Sequence, residues 1–390
     1  MTSFAEELNQ RLASLREQNL FRELRRVDSA PGTRIEIGGK TFLNFSSNDY
    51  LGLANHPTLK AAAIRAVEKY GAGSGASRLI CGSLAPFHEL EETLAAFKKS
   101  EAALTFSTGY AAAVGSITAL VGKSDIVILD KLVHACIVDA AKLSGAKLRI
   151  FDHNDLNDLE DKLRWSRTNS QGQTLVVTES IFSMDGDAAP LREIVVLKEK
   201  YGAWLMVDEA HATGIIGENG RGLADELGVS NQIEIQMGTL GKALGASGGY
   251  ICGRRALIDF LVNRARSFIF STAPIPAAAA TAMAGIQIAQ SAEGETRRKN
   301  LFALCNELRS KLKIENTKIT SAIIPLILGD ENRALEAATK LREQNIFVPA
   351  IRYPTVARGS ARLRVTLTAA HTAADVAELV AVLNKLAIGK

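Results

Sequence analysis

The sequence has 390 residues, 47% of them hydrophobic and 23% charged, with 31 Gly, 9 Pro, 4 Cys and a formal net charge of +4. This composition excludes a disordered chain, a disulfide-stapled miniprotein and a collagen-like repeat, and the length suits two or three domains of about 100–200 residues. The small positive balance is spread along the chain, unlike the concentrated basic face of a nucleic-acid binder, so no nucleic-acid partner is expected.

Residues 1–26 read as an amphipathic helix ending in Arg22, Arg25 and Arg26, a cluster whose simplest reading is a solvated face. No apolar core of a secretory leader is present there. A turn at Pro31-Gly32 precedes a hairpin in which Gly38-Gly39 join RIEI to KTFLNF. From about residue 57, helical segments (87–99, 111–121, 133–144 and 190–201 among them) alternate with short apolar runs at 102–106, 125–130, 147–151, 174–179, 203–208, 234–237 and 248–253. Such alternation predicts a largely parallel sheet covered by helices on both faces.

The 26 residues Ser267–Ala292 carry no charge, but their prolines, alanines and hydroxyl residues are too weakly hydrophobic for a membrane span. They predict a loop running into a buried Ala-rich helix. Beyond about residue 280, a long helix, strands over 320–328, 346–351 and 361–368 and a terminal helix predict a smaller α+β domain. The expected divisions are therefore 1–45, 46–280 and 281–390. Four scattered cysteines (Cys81, Cys136, Cys252 and Cys305) without a C-x-x-C pair point to a reducing, cytoplasmic setting.

Ligands of open α/β sheets collect at the carboxyl ends of the parallel strands. Three successive runs end there in polar groups: Glu179 to Ser183, Asp208 to His211, and Gly238 to Lys242. The loop GTLGKALGASGG is not a phosphate-binding G-x-x-x-x-G-K-[ST] motif, because Gly238 and Gly241 are too close and Ala243 follows Lys242. Gly71, Gly73 and Ala76 loosely fit a dinucleotide fingerprint, but they follow a helical stretch where that motif must follow a strand. Asp208, Glu209 and His211 could touch a metal, yet no further ligands stand at metal spacing, so none is expected. A lone lysine in a glycine loop can form a Schiff base, and an aspartate closing a buried strand needs a cationic partner. Together they suit pyridoxal phosphate, whose protonated ring nitrogen pairs with a carboxylate.

At this point the sequence resembles the α-oxoamine synthases, fold-type I pyridoxal-phosphate enzymes. The matching segments include SSNDYLGL (46–53), GAGSGASRLICG (71–82), FSTGYAAAVG (106–115), DKLVHAC (130–136), FDHND (151–155), ESIFSMDGD (179–187), MVDEAHATG (206–214) and TLGKALGASGGY (239–250). The resemblance implies an α/β fold with a mostly parallel, helix-covered sheet in a large domain, plus the smaller C-terminal α+β domain. It implies that Lys242 binds the cofactor covalently and later takes the α-proton of an amino acid. Asp208 would pair with the ring nitrogen, His211 and Ser183 with ring substituents, and His134 would stack on the ring, with Glu179 close by. Thr239 and the backbone of Gly109 and Tyr110 would bind the phosphate.

For substrates, the resemblance puts Arg352 on the amino-acid carboxylate, Arg22 on the distal carboxylate of the acyl donor, and Thr355 and Asn48 alongside. Within the family, FIFSTAPIPAA (268–278) and VPAIRYPTVARGSARLRVTLTAAHT (348–372) are closest to members that join L-alanine to a pimeloyl thioester during biotin synthesis. The acyl group would arrive on CoA or on a carrier protein. The rival within the family joins glycine to a short-chain acyl-CoA. A homodimer is the assembly that the resemblance implies.

Overall fold

The computed structural model describes residues 3–314 and 321–386. It divides into two compact units, one comprising the residues up to Ser47, Met184–Gly186 and those from Leu301 onward, the other Asn48–Ser183 and Asp187–Asn300.

The chain opens with α1 (Phe4–Glu17), started by a capping box between Ser3 and Glu6. This helix is shorter than the 1–26 expected, whose first two residues lie outside the described ones. Asn19 takes a left-handed φ of 56°, and the amides of Leu20 and Phe21 fold back onto the carbonyl of Leu15, which ends the helix before the arginine cluster. Strands β1 (Arg34–Ile37) and β2 (Lys40–Asn44) form the expected hairpin, with Gly38 and Gly39 both at positive φ as its tight turn requires.

The larger unit begins with α2 (Pro57–Tyr70) and α3 (Ala85–Phe97). Its sheet contains β3 (Ala102–Phe106), β4 (Ile126–Asp130), β5 (Lys147–Phe151), β6 (Thr174–Glu179), β7 (Trp204–Asp208), β8 (Ile235–Thr239) and β9 (Gly249–Gly253). Between them run α4 (Gly109–Leu120), α5 (Ala135–Ser144), α6 (Leu156–Asn169), α7 (Leu191–Lys200) and the short α8 (Leu223–Glu226). Strand order is β3-β9-β8-β7-β6-β4-β5. Strands β5, β4, β6, β7 and β8 pair in parallel, and β9 runs antiparallel to both its neighbours. Every residue of β4 and β6 is buried, as continuous apolar strands between two helical layers must be, whereas edge strand β5 is partly open.

After α9 (Arg255–Arg264) and α10 (Arg266–Ile269), the uncharged segment forms α11 (Pro276–Gln290), whose alanines pack inside the unit against α2 and α3. Ser291 then adopts an extended backbone and separates this Ala-rich helix from the long α12 (Ala292–Lys311), which starts later than the 280 expected. The boundary between units falls within α12, later than the 280 expected.

In the smaller unit, β10 (Ile323–Gly329), α13 (Glu331–Glu343), β11 (Ile346–Phe347), β12 (Ala350–Ile351), β13 (Ala361–Thr366) and α14 (Ala373–Lys385) follow. The strand expected to start at residue 320 begins at Ile323, and residue 320 itself lies outside the described ones. The expected strand 346–351 is broken at Val348-Pro349: β11 pairs with β2, and β12 pairs with β13. Proline has no amide to continue a ladder, so the chain changes sheets there. Pairing of β11 with β2, and of the Thr366 amide with the Phe45 carbonyl (2.9 Å), joins the N-terminal segment to the C-terminal residues in one unit.

Candidate active site

Strands β6, β7 and β8 are adjacent and parallel, so the groups that follow them share one edge of the sheet. In register, Glu179 stands directly opposite Asp208. Both are nearly closed to solvent, at 2% and 6% exposure. Burial pushes the Asp208 pKa up, against the Lys242 cation, the Ala210 amide (2.9 Å) and His134. Burial, and then the charge of Asp208, push Glu179 well above the ordinary carboxylate range. Two adjacent buried carboxylates do not both ionise readily, so the negative charge belongs on Asp208 and the proton on Glu179.

Lys242 projects from a loop that is closed on itself. The Leu240 amide bonds the Gly248 carbonyl (2.9 Å), the Ala246 amide the Leu240 carbonyl (2.9 Å) and the Gly245 amide the Lys242 carbonyl (2.9 Å). Two glycines let neighbours press against this loop. Gly245 has φ +67°, and a Cβ there would lie 2.7 Å from the Leu53 carbonyl carbon; a Cβ on Gly285 of α11 would lie 2.2 Å from the Leu244 oxygen. Held this way, Lys242 Nζ is 2.9 Å from His211 Nε2. His211 Nδ1 in turn is 2.6 Å from Tyr50 Oη, and that hydroxyl donates to Asn48 Oδ1 at 3.2 Å. Sequence reasoning selected Asn48 and passed over Tyr50 two positions later, although both belong to SSNDYLGL.

At the N-terminus of α4, the Thr108 hydroxyl accepts from the Ala111 amide (3.0 Å), and the Gly109 and Tyr110 amides have no acceptor within the helix. A Cβ on Gly109 would stand 2.6 Å from Thr239 Cγ2, and one on Gly249 would stand 2.6 Å from the Gly109 Cα. Thr239 therefore lies against the helix start, and among the described residues its buried hydroxyl has no hydrogen-bond partner. Tyr110 directs its own hydroxyl to Asp139 (2.8 Å), leaving only its backbone on this side.

His134 caps α5: its Nδ1 accepts from the Cys136 amide (3.2 Å) and lies 3.0 Å from Cys136 Sγ. Desolvation lowers its pKa, with Asp208 opposing, so the imidazole is neutral. Helix capping and a place beside the site are thus combined in one residue. Ser183 donates its amide to Glu179 Oε2 (3.2 Å) and is buried. Glu209 is engaged elsewhere: its buried carboxylate pairs with Lys98 and accepts from the Ala224 amide (2.9 Å). No group of three or more His, Cys, Asp or Glu among the described residues is arranged to hold a metal ion. Gly71 follows α2, not a strand.

Arg22, Arg352 and Thr355 belong to the smaller unit. The Arg352 guanidinium donates to the Phe21 carbonyl (2.7 Å), and Arg22 donates to the Tyr353 carbonyl (3.3 Å). Thr355 sits on an exposed turn, its amide bonded to the Arg352 carbonyl (3.0 Å). Burial, with the charges of Arg22 and Arg25, depresses the Arg352 pKa, and Arg352 Nε is buried without a partner among the described residues. Arg25, expected only on a solvated face, thus adds a third cation to this cluster, whereas Arg26 pairs with Asp28.

The sequence profile of the family described as aminotransferase class I and II matches residues 40–383. A protein from Geotalea daltonii named 8-amino-7-oxononanoate synthase is 48% identical over 381 residues, covering 96% of this chain and 95% of its own. Among solved structures, a serine palmitoyltransferase from S. paucimobilis with bound PLP and myriocin superposes with a TM-score of 0.91 at 30% identity, covering 97% of this chain and 96% of its own. The 8-amino-7-oxononanoate synthase of Francisella tularensis superposes with a TM-score of 0.75 at 30% identity, covering 89% of this chain and 98% of its own.

Proposed function

This chain belongs to the aminotransferase class I and II family, and from that premise we propose that it condenses L-alanine with a pimeloyl thioester, releasing the thiol and carbon dioxide and forming 8-amino-7-oxononanoate for biotin synthesis. The observation that carries the reading is the Lys242 amine, held on His211 within electrostatic reach of the buried Asp208 carboxylate. Pyridoxal phosphate supplies the ring that, when bound, accepts the electron pair left at the α-carbon of an amino acid.

The residues present fit that group. The orphaned Thr239 hydroxyl and the first amides of α4, at Gly109 and Tyr110, would hold its phosphate. Asp208, kept ionised opposite Lys242, would hold the ring nitrogen protonated. His211, Ser183 and His134 would bond to and cover the ring, and neutral Glu179 adds no second negative charge beside Asp208. Lys242 Nζ takes the α-proton of alanine and returns it after carbon dioxide has left. Arg352 and Arg22 would each clamp one carboxylate, of alanine and of the pimeloyl chain, and Thr355 and Asn48 would each contact substrate. A guanidinium suits this task because its fork matches a carboxylate bidentately.

We assign a homodimer as well. Ser74 Oγ bonds the Pro274 carbonyl and Ser77 bridges to Thr272, bringing together Leu79, Ile80, Phe270 and Ile275, all exposed apolar side chains in the single chain. Such a patch is covered economically by a second copy. No helix among the described residues is long and apolar enough to cross a membrane. Four free cysteines suit the cytoplasm.

The test is a matrix of alanine or glycine with pimeloyl-CoA or acetyl-CoA, scored by thiol and carbon dioxide release. Alanine with pimeloyl-CoA is expected to be fastest. Faster turnover of glycine with acetyl-CoA refutes the substrate assignment and favours the glycine-using rival.

A further inference from the structure

Which ring nitrogen of His211 carries the proton follows from the direction of the hydrogen bond between Tyr50 and Asn48. The Tyr50 hydroxyl donates to Asn48 Oδ1 (3.2 Å), an oxygen that can only accept. Tyr50 Oη is then left to accept from His211 Nδ1 at 2.6 Å, and Nε2, now a lone pair, accepts from Lys242 Nζ at 2.9 Å. The four groups form one chain of donors, all pointing from Lys242 toward Asn48. Tyr50 is wholly buried and His211 nearly so, whereas Asn48 is half-buried.

The titratable groups that face Lys242 include Asp208 at the end of β7, Glu179 at the end of β6, His134 and Cys136 at the start of α5, and of these Asp208 carries the negative charge. The ionised Asp208 favours the ammonium form of Lys242, yet an amine must lose that proton before it can attack a carbonyl. We propose that Tyr50 and His211 form the exit for this proton. One N–H bond breaks at Lys242 Nζ and one forms at His211 Nε2. The Nδ1 proton passes to Tyr50 Oη as the phenol proton passes to a water that takes the place of the half-buried Asn48 side chain as its acceptor. Lys242 ends neutral, His211 ends as the Nε2–H tautomer, and Tyr50 ends as a neutral phenol whose hydroxyl now donates to Nδ1. In that state Nε2 is a donor, the form needed to bond an anionic ring oxygen. Tyr50 is thus a positioning residue that acts through His211, because a hydroxyl alone can switch from accepting to donating without moving.

The inference rests on the proposed function only for the use made of Lys242. Its test is run on cofactor-free protein, with nitrogen-15 NMR reporting which His211 nitrogen is protonated, the signal assigned by its loss in His211→Asn. Nδ1–H is expected in the wild type, and Nε2–H there overturns the proposal. Covalent uptake of pyridoxal phosphate, followed by absorbance, should slow by about tenfold or more at neutral pH in Tyr50→Phe and recover at alkaline pH, where bulk hydroxide removes the proton. An unchanged rate and pH profile in Tyr50→Phe also overturns it. Should Tyr50→Phe not fold, Asn48→Leu replaces it: loss of the acceptor should shift His211 toward Nε2–H, and an unaltered tautomer counts against the relay. Wild-type protein that takes up no cofactor refutes the functional reading instead, while the tautomer measurement still decides the bond polarity.

Discussion

Among the bonds that hold the loop carrying Ser183 are two made by one imidazole, and these make its stability depend on pH in a calculable way. His153 Nδ1 is 3.0 Å from Asp130 Oδ1 and its Nε2 is 2.8 Å from Asp187 Oδ2. Its ring meets the buried Phe182 edge-on at 4.3 Å. Burial opposes the charged imidazole, but bonds to two carboxylates outweigh it and raise the pKa from 6.5 to about 10. At about 1.4 kcal/mol per pH unit, that difference has a ceiling of about 5 kcal/mol. With 24% of the side chain open to solvent, screening reduces the figure to about 2–3 kcal/mol. The folded pKa is raised, so the contribution is complete below pH 6.5 and disappears as pH climbs toward about 10.

Replacing His153 by Gln keeps a polar group and removes the charge. Urea unfolding of cofactor-free wild type and His153→Gln should differ by about 2–3 kcal/mol at about pH 6 and converge at about pH 10. Taking the difference between the two proteins cancels the other groups that titrate in this range. A gap of constant size across the range would refute the reasoning, since it would mean that His153 acts by packing alone.

Other consequences are equally direct. Thr239→Val should weaken pyridoxal phosphate binding by about ten- to a hundredfold, because a hydrogen bond to a charged group contributes about 1.5–3 kcal/mol, while cofactor-free stability stays level or rises as a buried orphan hydroxyl is removed; equilibrium dialysis and thermal melting read the two effects. Lys98→Met should cost about 3–5 kcal/mol in denaturant unfolding, since it leaves the Glu209 carboxylate uncompensated at 0% exposure, and the double change Lys98→Met with Glu209→Met should recover most of it. Burial pushes the Cys136, Cys252 and Cys305 thiols up to about 12, so these three should resist alkylation of the native protein at neutral pH, with Cys81 the only candidate for modification when mass spectrometry maps the labelled peptides.

Hydrophobic patterning made the large sheet legible: β3, β5 and β6 occupy the runs expected, and the others begin or end within a residue or two of them. The parallel order also placed Glu179, Asp208 and Lys242 together, because only strand ends at one edge of such a sheet can converge. What patterning could not convey was long-range. The reach of β11 to β2, which joins the chain's first residues to its last hundred, depends on pairing across some three hundred residues that no local signal records. Tyr50 was hidden for a related reason: its neighbours Leu51 and Leu53 are core residues, and only its hydroxyl's contact with His211 sets it apart. Likewise, Glu209 beside His211 suggested metal chemistry, but the partner that occupies it, Lys98, lies far away in sequence.

The central claim is that Lys242 is the amine that binds pyridoxal phosphate covalently. Loading the protein with pyridoxal phosphate, reducing it with borohydride and mapping the peptides tests this directly. A yellow protein that bleaches on reduction, with the cofactor's mass fixed on Lys242 and absent from Lys242→Ala, is the predicted result. Cofactor fixed on another residue, or on Lys242→Ala to the same extent as on the wild type, would contradict it.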